Sequence, residues 1–593
     1  MILDRRALSP RPDFYREEWI DLNGMWKFVY DDDERGLREK WFFHFPDSRM
    51  IKVPFCYQSK ESGIGETQIH PVVWYEREIE ITEAMKGKRI WLHFGAADQD
   101  TMVWINGCMA GGHRGGFTPF SFLASEYVEE EDRSMRVTVR CADANEAGQV
   151  RGKQHWDQKT DRCWYTATSG IWQNVWLELT EGYRIEKAKI TPDIEEKTVE
   201  MLISLSQKPA AGTVKWTMAL DGTVLRKGEQ SLGEKRERLL ISVKNIDVID
   251  NRQGLWEPDH PVLYDLTLEV YENDRLQDRV ETYFGMRRIE RIGGTIYLNH
   301  VPLYQKLVLD QGYWPDTLMT PKDGNALLQD LILAKKMGFN GVRKHQKLED
   351  PRYLYYADRL GMLVWEELPS NYEFWDGGIR ELADTCLEMA ERDYNHPCII
   401  TWVPFNESWG IRDVLWDTRQ QEFAESMYHL LRAVDRTRLI STNDGWEAVR
   451  SDLIGIHDYE NHGECIKEKY ADRERLIASN ATDKMVLSKC RKYEGEPVLL
   501  SEFGGLAMED ENTRSWGYHE KLAGPEKLLE KLKELFEAAE AIPYLAGYCY
   551  TQLTDVEQET NGLLDPDRNP KADLGKIREI VTGGGLSSGE LTD

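Results

Sequence analysis

The chain has 593 residues, with 75 lysines and arginines against 103 aspartates and glutamates, which gives a formal net charge of −28. This acidic balance argues against a nucleic-acid-binding protein, because neutralising phosphates requires a cationic surface. Nine cysteines without a CxxC pair indicate neither a disulfide framework nor a zinc site, and no apolar run approaches the length of a membrane span. We therefore expect a cytoplasmic protein of about three or four domains, with no membrane partner, no metal and no cofactor.

The first half of the chain is rich in strand patterns. Short alternating runs such as VVWYEREIEI (72–81) and TMVWING (101–107) are separated by Gly, Pro and Asp up to about residue 183. A period of two is typical of half-buried antiparallel strands, so this stretch predicts a β-sandwich. Residues 184–285 form a second strand-rich stretch whose length and strand spacing suit an immunoglobulin-like sandwich, although the Cys…Trp…Cys signature is missing.

From residue 286 onward, short apolar β-rich runs alternate with amphipathic helical segments. The predicted strands are 304–309, 340–345, 362–367, 399–407, 438–443, 453–459, 498–504 and 545–552. Clear helical patterns cover 326–339, 352–361, 420–434 and 526–542. Eight β/α units in about 300 residues predict a TIM barrel, whose active site lies at the C-terminal ends of its strands.

Two glutamates stand out among the polar residues at those strand ends. Glu407 follows the apolar run WVPF and an asparagine, and Glu502 follows VLLS. A charge at such a position costs several kcal/mol unless it is paired or used by the site. Two facing carboxylates are the groups that hydrolyse glycosides, one as nucleophile and one as proton donor. The alternative is that both are structural ion-pair members, for example with Arg343.

The electrostatics of such a pair can be anticipated. At about 5 Å and an effective dielectric constant of about 20, two carboxylates repel by roughly 3 kcal/mol, which corresponds to about 2 pKa units. We expect this repulsion to raise the pKa of one carboxyl to about 6 to 7, where a general acid is most useful.

Several segments resemble glycoside hydrolase family 2, the family of β-galactosidases, β-glucuronidases and β-mannosidases. LNGMWKF, WINGCMAGGHRGGFTPF and SGIWQNVWLE are similar to its sugar-binding jelly roll, and GFNGVRKH, ERDYNHP, WVPFNESWG and LLSEFGG to its barrel signatures. The resemblance implies a retaining exo-glycosidase built from a jelly roll (1–183), an immunoglobulin-like sandwich (184–285) and a catalytic TIM barrel (286–593). The pattern is closest to β-galactosidase-type members.

The resemblance also implies roles for residues of the barrel. Glu407 matches the acid/base and Glu502 the nucleophile, while Asn406 matches the residue that bonds the sugar 2-hydroxyl. Tyr459 matches a tyrosine that bonds the nucleophile, with core packing as the alternative. His345 resembles a histidine that contacts sugar hydroxyls, with a structural role as the alternative.

Further residues are placed to line the cleft. Arg343 is expected to hold the charge of the nucleophile rather than to touch substrate. The remaining candidates for substrate binding, each with a purely structural alternative, are Trp314, Trp365, Trp409, Tyr550, Asp310 and Glu367.

Three departures from the family pattern bear on the substrate. Trp164 stands where many relatives have an Asp that reaches the barrel site, and Tyr550 stands where many have Trp. Where glucuronidases place an Asn-x-Lys clamp for the uronate carboxylate, this chain reads Glu559, Thr560 and Asn561, with no cation and an added acid.

These departures favour a neutral terminal sugar. We predict a β-galactosidase-like enzyme that acts on an oligosaccharide or glycoside, with arabinosidase or galactofuranosidase activity as alternatives and β-glucuronidase activity disfavoured. A non-catalytic carbohydrate-binding protein is the alternative outside the enzymes. The resemblance also allows a homo-oligomer.

Overall fold

The computed structural model describes residues 4–479, 482, 484–509 and 515–584. The first unit is a sandwich of two antiparallel sheets, as the alternating patterns predict. Its inner positions include Trp26 and Phe28, which are fully buried and alternate with exposed Met25 and Lys27. In hydrogen-bonded order, the larger sheet contains Arg49–Val53, Gly24–Tyr30, Val72–Glu80, Ser134–Ala142, Asp100–Ile105 and Cys108–Arg114. The smaller contains Phe120–Leu123, Arg89–Phe94, Val175–Thr180 and Trp19–Asp21, and Ala97–Asp98 pairs separately with Gly170–Ile171.

The second unit is also a sandwich. One sheet contains Ile185–Asp193, Thr198–Leu205 and Arg236–Ser242, and the other contains Phe14–Tyr15, Arg275–Phe284, Tyr264–Glu272, Gly212–Leu220 and Thr223–Leu232. The N-terminal strand Phe14–Tyr15 thus belongs to this sheet rather than to the first sandwich. Next to it, buried Arg16 joins the two units, because it forms ion pairs with Glu178 at 2.6 Å and with Asp278 at 2.9 Å.

The third unit is the predicted barrel of parallel strands. Its strands are β1 (Gln305–Asp310), β2 (Gly341–Lys344), β3 (Leu363–Glu367), β4 (Ile399–Val403), β5 (Leu439–Ile440), β6 (Ile454–His457), β7 (Val498–Gly504) and β8 (Leu545–Thr551). They pair in the order β5-β4-β3-β2-β1-β8-β7-β6. All eight predicted strands are confirmed. The predicted strand 399–407 is interrupted at Pro404, which has no backbone N–H for the ladder, so that Phe405–Asn406 pairs separately with Asn443–Asp444.

Helices cover the outside of the barrel. They are α1 (Gly324–Lys336), α2 (Pro351–Leu360), α3 (Asp376–Asp393), α4 (Thr418–Val434), α5 (Gly463–Lys469), α6 (Arg473–Ala478), α7 (Pro525–Glu540) and α8 (Leu574–Thr582). The ends of α2 follow from the sequence. Asp350 accepts the backbone N–H of Arg352, Pro351 takes the first helical position, and Gly361 ends the helix with φ 68°.

Smaller elements connect these units. Short 3₁₀ turns lie at Arg6–Leu8, Lys60–Ser62 and Ala124–Tyr127, and a single helical turn at Asp247–Asp250. The hairpin pair Trp256–Glu257 and His260–Pro261 and the three-stranded sheet Ile289–Ile292, Thr295–Leu298 and Val301–Pro302 lead into β1. All nine cysteines are free thiols. None of the helices in the described ranges combines the length and apolarity that a bilayer crossing needs.

Candidate active site

Glu502 lies in β7 near the C-terminal end of the barrel, and its carboxylate is held from two sides. Arg343, from β2, donates to Oε1 at 3.2 Å and to the carbonyl of Ser501 at 2.5 Å. Tyr459 donates its hydroxyl to Oε2 at 2.5 Å. Only 4 % of the Glu502 side chain is exposed. Charge-assisted bonds of this kind fix the orientation of the carboxylate.

Glu407 follows the two-residue strand Phe405–Asn406 and adopts an unusual backbone conformation. Both Glu407 (φ 54°) and Ser408 (φ 57°) lie in the left-handed region. Two contacts hold this turn: the Glu407 N–H donates to the carbonyl of Asp444 at 2.9 Å, and the Ser408 N–H donates to Asn443 Oδ1 at 3.0 Å. Such strain persists only where surrounding contacts impose it, and it is concentrated at functional sites.

The two glutamates face each other across a short gap that also contains His457. One carboxylate oxygen of Glu407, one ring nitrogen of His457 and one carboxylate oxygen of Glu502 lie within 4.8 Å of one another. The Glu407 side chain is 17 % exposed, so that of the two carboxylates it is the one more open to the mouth of the barrel. The structure thus brings together the pair that the sequence singled out.

The predicted rise in the pKa of one carboxyl is not what the structure indicates for Glu407. Burial raises its pKa, but the hydrogen bond from His457, the charge of that imidazole and the nearby Lys153 ammonium hold the pKa below its usual value. The expectation considered only the repulsion between the two glutamates. It was wrong because cations lie within reach of Glu407.

Arg343 is the centre of a fully buried network at the second strand. Besides Glu502, it contacts Glu367 Oε1 through Nε at 2.6 Å and Asn406 Oδ1 through Nη2 at 3.2 Å. The other Glu367 oxygen bonds His345 Nδ1 at 2.6 Å. Burial raises the pKa of Glu367, but Arg343 and His345 hold it below its usual value. Arg343 was predicted to hold the charge of the nucleophile, and the structure places it against Glu502, Glu367 and Asn406.

Two of the predicted substrate-binding residues lie in structural networks instead. Asp310 is 1 % exposed, and its oxygens accept from the Lys344 ammonium at 3.1 Å, the Tyr353 hydroxyl at 2.7 Å and the Gly312 N–H at 2.9 Å. These partners occupy the carboxylate. Trp314 packs against cations, with Arg568 4.8 Å and Lys347 5.2 Å from its ring.

Trp365 and Tyr550 are also walls of the fold. Trp365 is fully buried inside the barrel, where its indole N–H donates to Gln305 at 2.7 Å. Tyr550 points away from the barrel axis, because its ring packs against Phe536 of α7 with centroids 5.7 Å apart. The next residue, Thr551, faces inward and accepts from Tyr459 at 3.3 Å. Since side chains alternate along a strand, choosing Tyr550 rather than its neighbour selected the wrong face of β8.

An aromatic wall lines the mouth beside Glu407. Trp409 lies 5.3 Å from Trp164 of the first sandwich and 5.4 Å from Tyr372, as ring centroids. Beside Glu502, the Tyr459 ring stacks on Tyr518 with centroids 3.5 Å apart. Partly exposed rings in such positions bind the apolar faces of sugars. Trp409 is thus the predicted aromatic platform that the structure places at the site, and Trp164 contributes to the same wall.

A loop of the first sandwich, residues 143–169, covers one side of the mouth. The Tyr165 hydroxyl donates to Glu559 Oε2 at 2.6 Å, and the Thr166 N–H donates to Glu557 Oε1 at 3.0 Å. Lys153 is 7 % exposed, and its charge acts on both Glu407 and Glu559. Burial raises the pKa of Glu559, although Lys153 and the bond from Tyr165 oppose the rise. The site therefore combines barrel residues with a cation from another domain.

Sequence reasoning missed the roles of three residues. The sequence analysis assigned no role to His457, Asp444 or Lys153. The position of His457 at the end of an apolar strand, two residues before Tyr459, was a usable signal. No local signal marked Lys153, because its approach to the barrel depends on how the domains pack.

The sugar-binding domain of glycosyl hydrolases family 2 matches residues 20–180, the family's second domain matches 183–287 and its TIM barrel domain matches 320–583. The chain belongs to glycosyl hydrolase family 2. This membership indicates a glycosidase with a carbohydrate substrate.

Curated relatives carry two different activities. A β-galactosidase of Thermoanaerobacter pseudethanolicus is 26% identical over 437 residues, which are 71% of this chain and 54% of that protein. A β-glucuronidase of Streptococcus agalactiae is 24% identical over 546 residues and 82% of both chains. A β-glucuronidase of Paenibacillus borealis is 24% identical and covers 95% of this chain and 97% of its own. The chain spans about half the length of the β-galactosidase relative but nearly all of the Paenibacillus protein.

Solved structures confirm the architecture. A β-glucuronidase from an uncultured Clostridium superposes with a TM-score of 0.76 at 20% identity, over 96% of this chain and 99% of its own. The apo β-glucuronidase of Ruminococcus gnavus gives 0.77 at 18% identity, over 98% and 100%. At these identities the likeness establishes the three-domain fold alone.

Proposed function

We propose that the protein is a retaining, exo-acting β-glycosidase that releases a neutral terminal sugar, as a β-galactosidase does. The observation that carries this proposal is the approach of the Glu407 and Glu502 carboxylates to within 4.8 Å. Retaining glycosidases place their two carboxyl groups about 5 Å apart, whereas inverting enzymes leave room for a water molecule between them.

The surroundings of each glutamate suit its role in two successive displacements. Arg343 and Tyr459 fix the Glu502 carboxylate, so that it can attack the anomeric carbon as nucleophile. Glu407, the more exposed of the two, protonates the leaving oxygen and then accepts a proton from the water that hydrolyses the glycosyl-enzyme. Asn406, held by Arg343, is placed to bond the sugar hydroxyl next to the reacting carbon.

The covered mouth supports exo action. Trp164 and Lys153 come from the first sandwich, and the loop that carries them is bonded to the barrel loop around Glu559. A pocket closed on one side accommodates the end of an oligosaccharide better than its middle. The buried Glu559 would repel a second carboxylate nearby, which favours an uncharged sugar.

A β-glucuronidase is the second candidate, and Lys153 is the observation that favours it. The sequence argument against a uronate rested on a missing cation in the 559–561 segment, yet the ammonium of Lys153 approaches Glu559 from another domain. A cation in this place can pair with a uronate carboxylate. The names of several relatives also agree with this activity.

A panel of p-nitrophenyl glycosides tests both candidates. We expect the highest kcat/KM on the β-galactoside or another neutral sugar, including the arabinoside and galactofuranoside, and at least about 100-fold less on the β-glucuronide, because an unpaired carboxylate near Glu559 costs about 3 kcal/mol or more. The highest value on the glucuronide would establish the second candidate. Sugar binding without turnover on any member of the panel would refute both.

A further inference from the structure

His457, the last residue of β6, lies between the acidic groups of the site. Its Nδ1 is 2.8 Å from Glu407 Oε1, and its Nε2 is 3.0 Å from Asp444 Oδ2 and 3.5 Å from Glu502 Oε1. The side chain is 1 % exposed. The proposed reaction uses neither this imidazole nor Asp444, although His457 contacts the Glu407 side chain and Asp444 accepts the Glu407 backbone N–H.

The position of the ring is closely determined. Gly445 (φ 92°) packs against it, and a Cβ at that position would approach the ring atoms to 2.5 Å. Asp444 is itself held, because Arg343 Nη1 lies 3.2 Å from Oδ2 and the Ser441 hydroxyl donates to Oδ1 at 3.0 Å. Asp444, His457 and Glu407 therefore form a fixed chain that ends at the mouth of the pocket.

We propose that His457 is the proton-holding partner of Glu407: the Glu407–His457 pair shares one proton, this proton passes to the leaving oxygen, and Asp444 positions the imidazole. The inference rests on the proposed glycosidase function and adds to it the source of the acid proton. His457 acts through Glu407, so it is a positioning residue rather than a group that touches the sugar.

The protons balance over the two steps. Before reaction, Nε2–H faces Asp444, and one further proton lies on Nδ1 or on the Glu407 carboxyl. As Glu502 bonds to the anomeric carbon and the glycosidic bond breaks, that proton moves through Glu407 to the leaving oxygen, which leaves a carboxylate and a neutral imidazole. In the second step the water oxygen bonds to the anomeric carbon, the bond to Glu502 breaks, and the proton of the water returns to the pair.

The charges around the ring support this role. Three carboxylates face it, those of Glu407, Asp444 and Glu502, and one guanidinium does, with Arg343 Nη1 3.4 Å from Nε2. Burial lowers the pKa of His457, but the three carboxylates raise it to about 10. A lone glutamate carboxyl would lose its proton at about pH 4, well below neutral pH. The pair keeps one above neutral pH, and the titration belongs to the pair rather than to either residue.

The test compares the pH dependence of kcat/KM for the wild type, His457→Gln and Asp444→Asn, on an aryl glycoside and an alkyl glycoside of the sugar that the wild type hydrolyses best. We expect the basic limb of the wild-type profile above pH 8. In His457→Gln we expect this limb at least one pH unit lower, with a loss of about 100-fold or more on the alkyl glycoside but less than about tenfold on a dinitrophenyl glycoside, which hardly needs the proton. Asp444→Asn should shift the limb in the same direction by less.

A matched control is His462→Gln, because the exposed side chain of that histidine bonds only the neighbouring Glu460 among the described residues. It should leave the profile unchanged. A wild-type limb near pH 6, or an equal loss on both leaving groups with an unmoved limb, would overturn the proton-sharing role. If the variants fail to fold, the position of the basic limb in the wild-type profile still tests the proton-sharing role. Absence of wild-type turnover on every glycoside would instead refute the proposed function on which the inference rests.

Discussion

At the scale of single residues, the two glutamates differ in what surrounds them, and this difference supports the roles proposed for them. Glu502 is held by a guanidinium and a phenol, whereas Glu407 contacts an imidazole and is open to the mouth. The strand-end pattern in the sequence predicted both glutamates and Arg343, and the resemblance to the family implied the roles of Asn406 and Tyr459. The sequence did not predict the role of His457, although that residue follows an apolar strand two positions before Tyr459. It could not predict Lys153, whose approach to the barrel depends on how the domains pack.

Replacement of the acid/base tests its assignment. Glu407→Ala should reduce kcat/KM on alkyl glycosides by about 10³-fold, because the leaving alkoxide then departs without a proton. On dinitrophenyl glycosides the loss should be tenfold or less, since an activated phenolate is a good leaving group. Steady-state kinetics on both substrates measure this. Equal losses on the two substrates would assign the acid role to another residue.

At the scale of elements, the predicted ends of some strands match the structure, whereas those of others do not. The predicted strand 498–504 matches β7 at both ends, because VLLSEFG is buried throughout. Strand 438–443 is reduced to Leu439–Ile440, since the backbone after it turns to pair with Phe405–Asn406. The apolar run of β8 could not show which of its side chains face the pocket, because both faces of a barrel strand are buried.

A second prediction concerns the close packing of β6 against Asp444, which precedes it in the chain. Gly455 lies in β6, where an added Cβ would overlap Asp444 Oδ1 and lie 2.5 Å from the Ser501 hydroxyl. Gly455→Ala should therefore displace Asp444 from His457, destabilise the protein by about 1 to 3 kcal/mol and lower kcat by about tenfold or more.

Chemical denaturation and kcat measure the two effects. Gly233→Ala is the matched control, because the nearest atom to a Cβ there is 4.0 Å away in the second sandwich. It should change neither quantity measurably. Wild-type kcat in Gly455→Ala would mean that the position of Asp444 does not matter for the reaction.

At the scale of the whole molecule, the first sandwich is part of the site rather than a separate module. Its 143–169 loop meets the barrel through backbone bonds, with Arg151 and Gly152 both donating to the Ser370 carbonyl at 3.0 Å. Gly152 (φ 59°) leaves no room for a side chain beside the Gln346 carbonyl. The domain pattern of the chain predicted the three folds. It did not predict that domain packing would bring a cation to Glu559.

Replacement of Lys153 tests this contribution of the first domain to the barrel. Lys153→Met should lower kcat/KM on the best neutral glycoside by about tenfold or less, because it removes a charge near Glu407 and Glu559 without removing a contact to an ionic substrate. Lys159→Met, in the exposed part of the same loop, should have no effect. A loss of 100-fold or more that is confined to the glucuronide would show that Lys153 pairs with a uronate carboxylate.

The central claim is that Glu502 forms a covalent bond to the sugar, and azide rescue of Glu502→Ala tests it most directly. The account predicts that this variant loses turnover by about 10⁴-fold or more. Added azide should partly restore release of the aryl group and give a glycosyl azide of inverted anomeric configuration, because azide enters the space left by the carboxylate. Near-normal activity of the variant without azide would contradict the account.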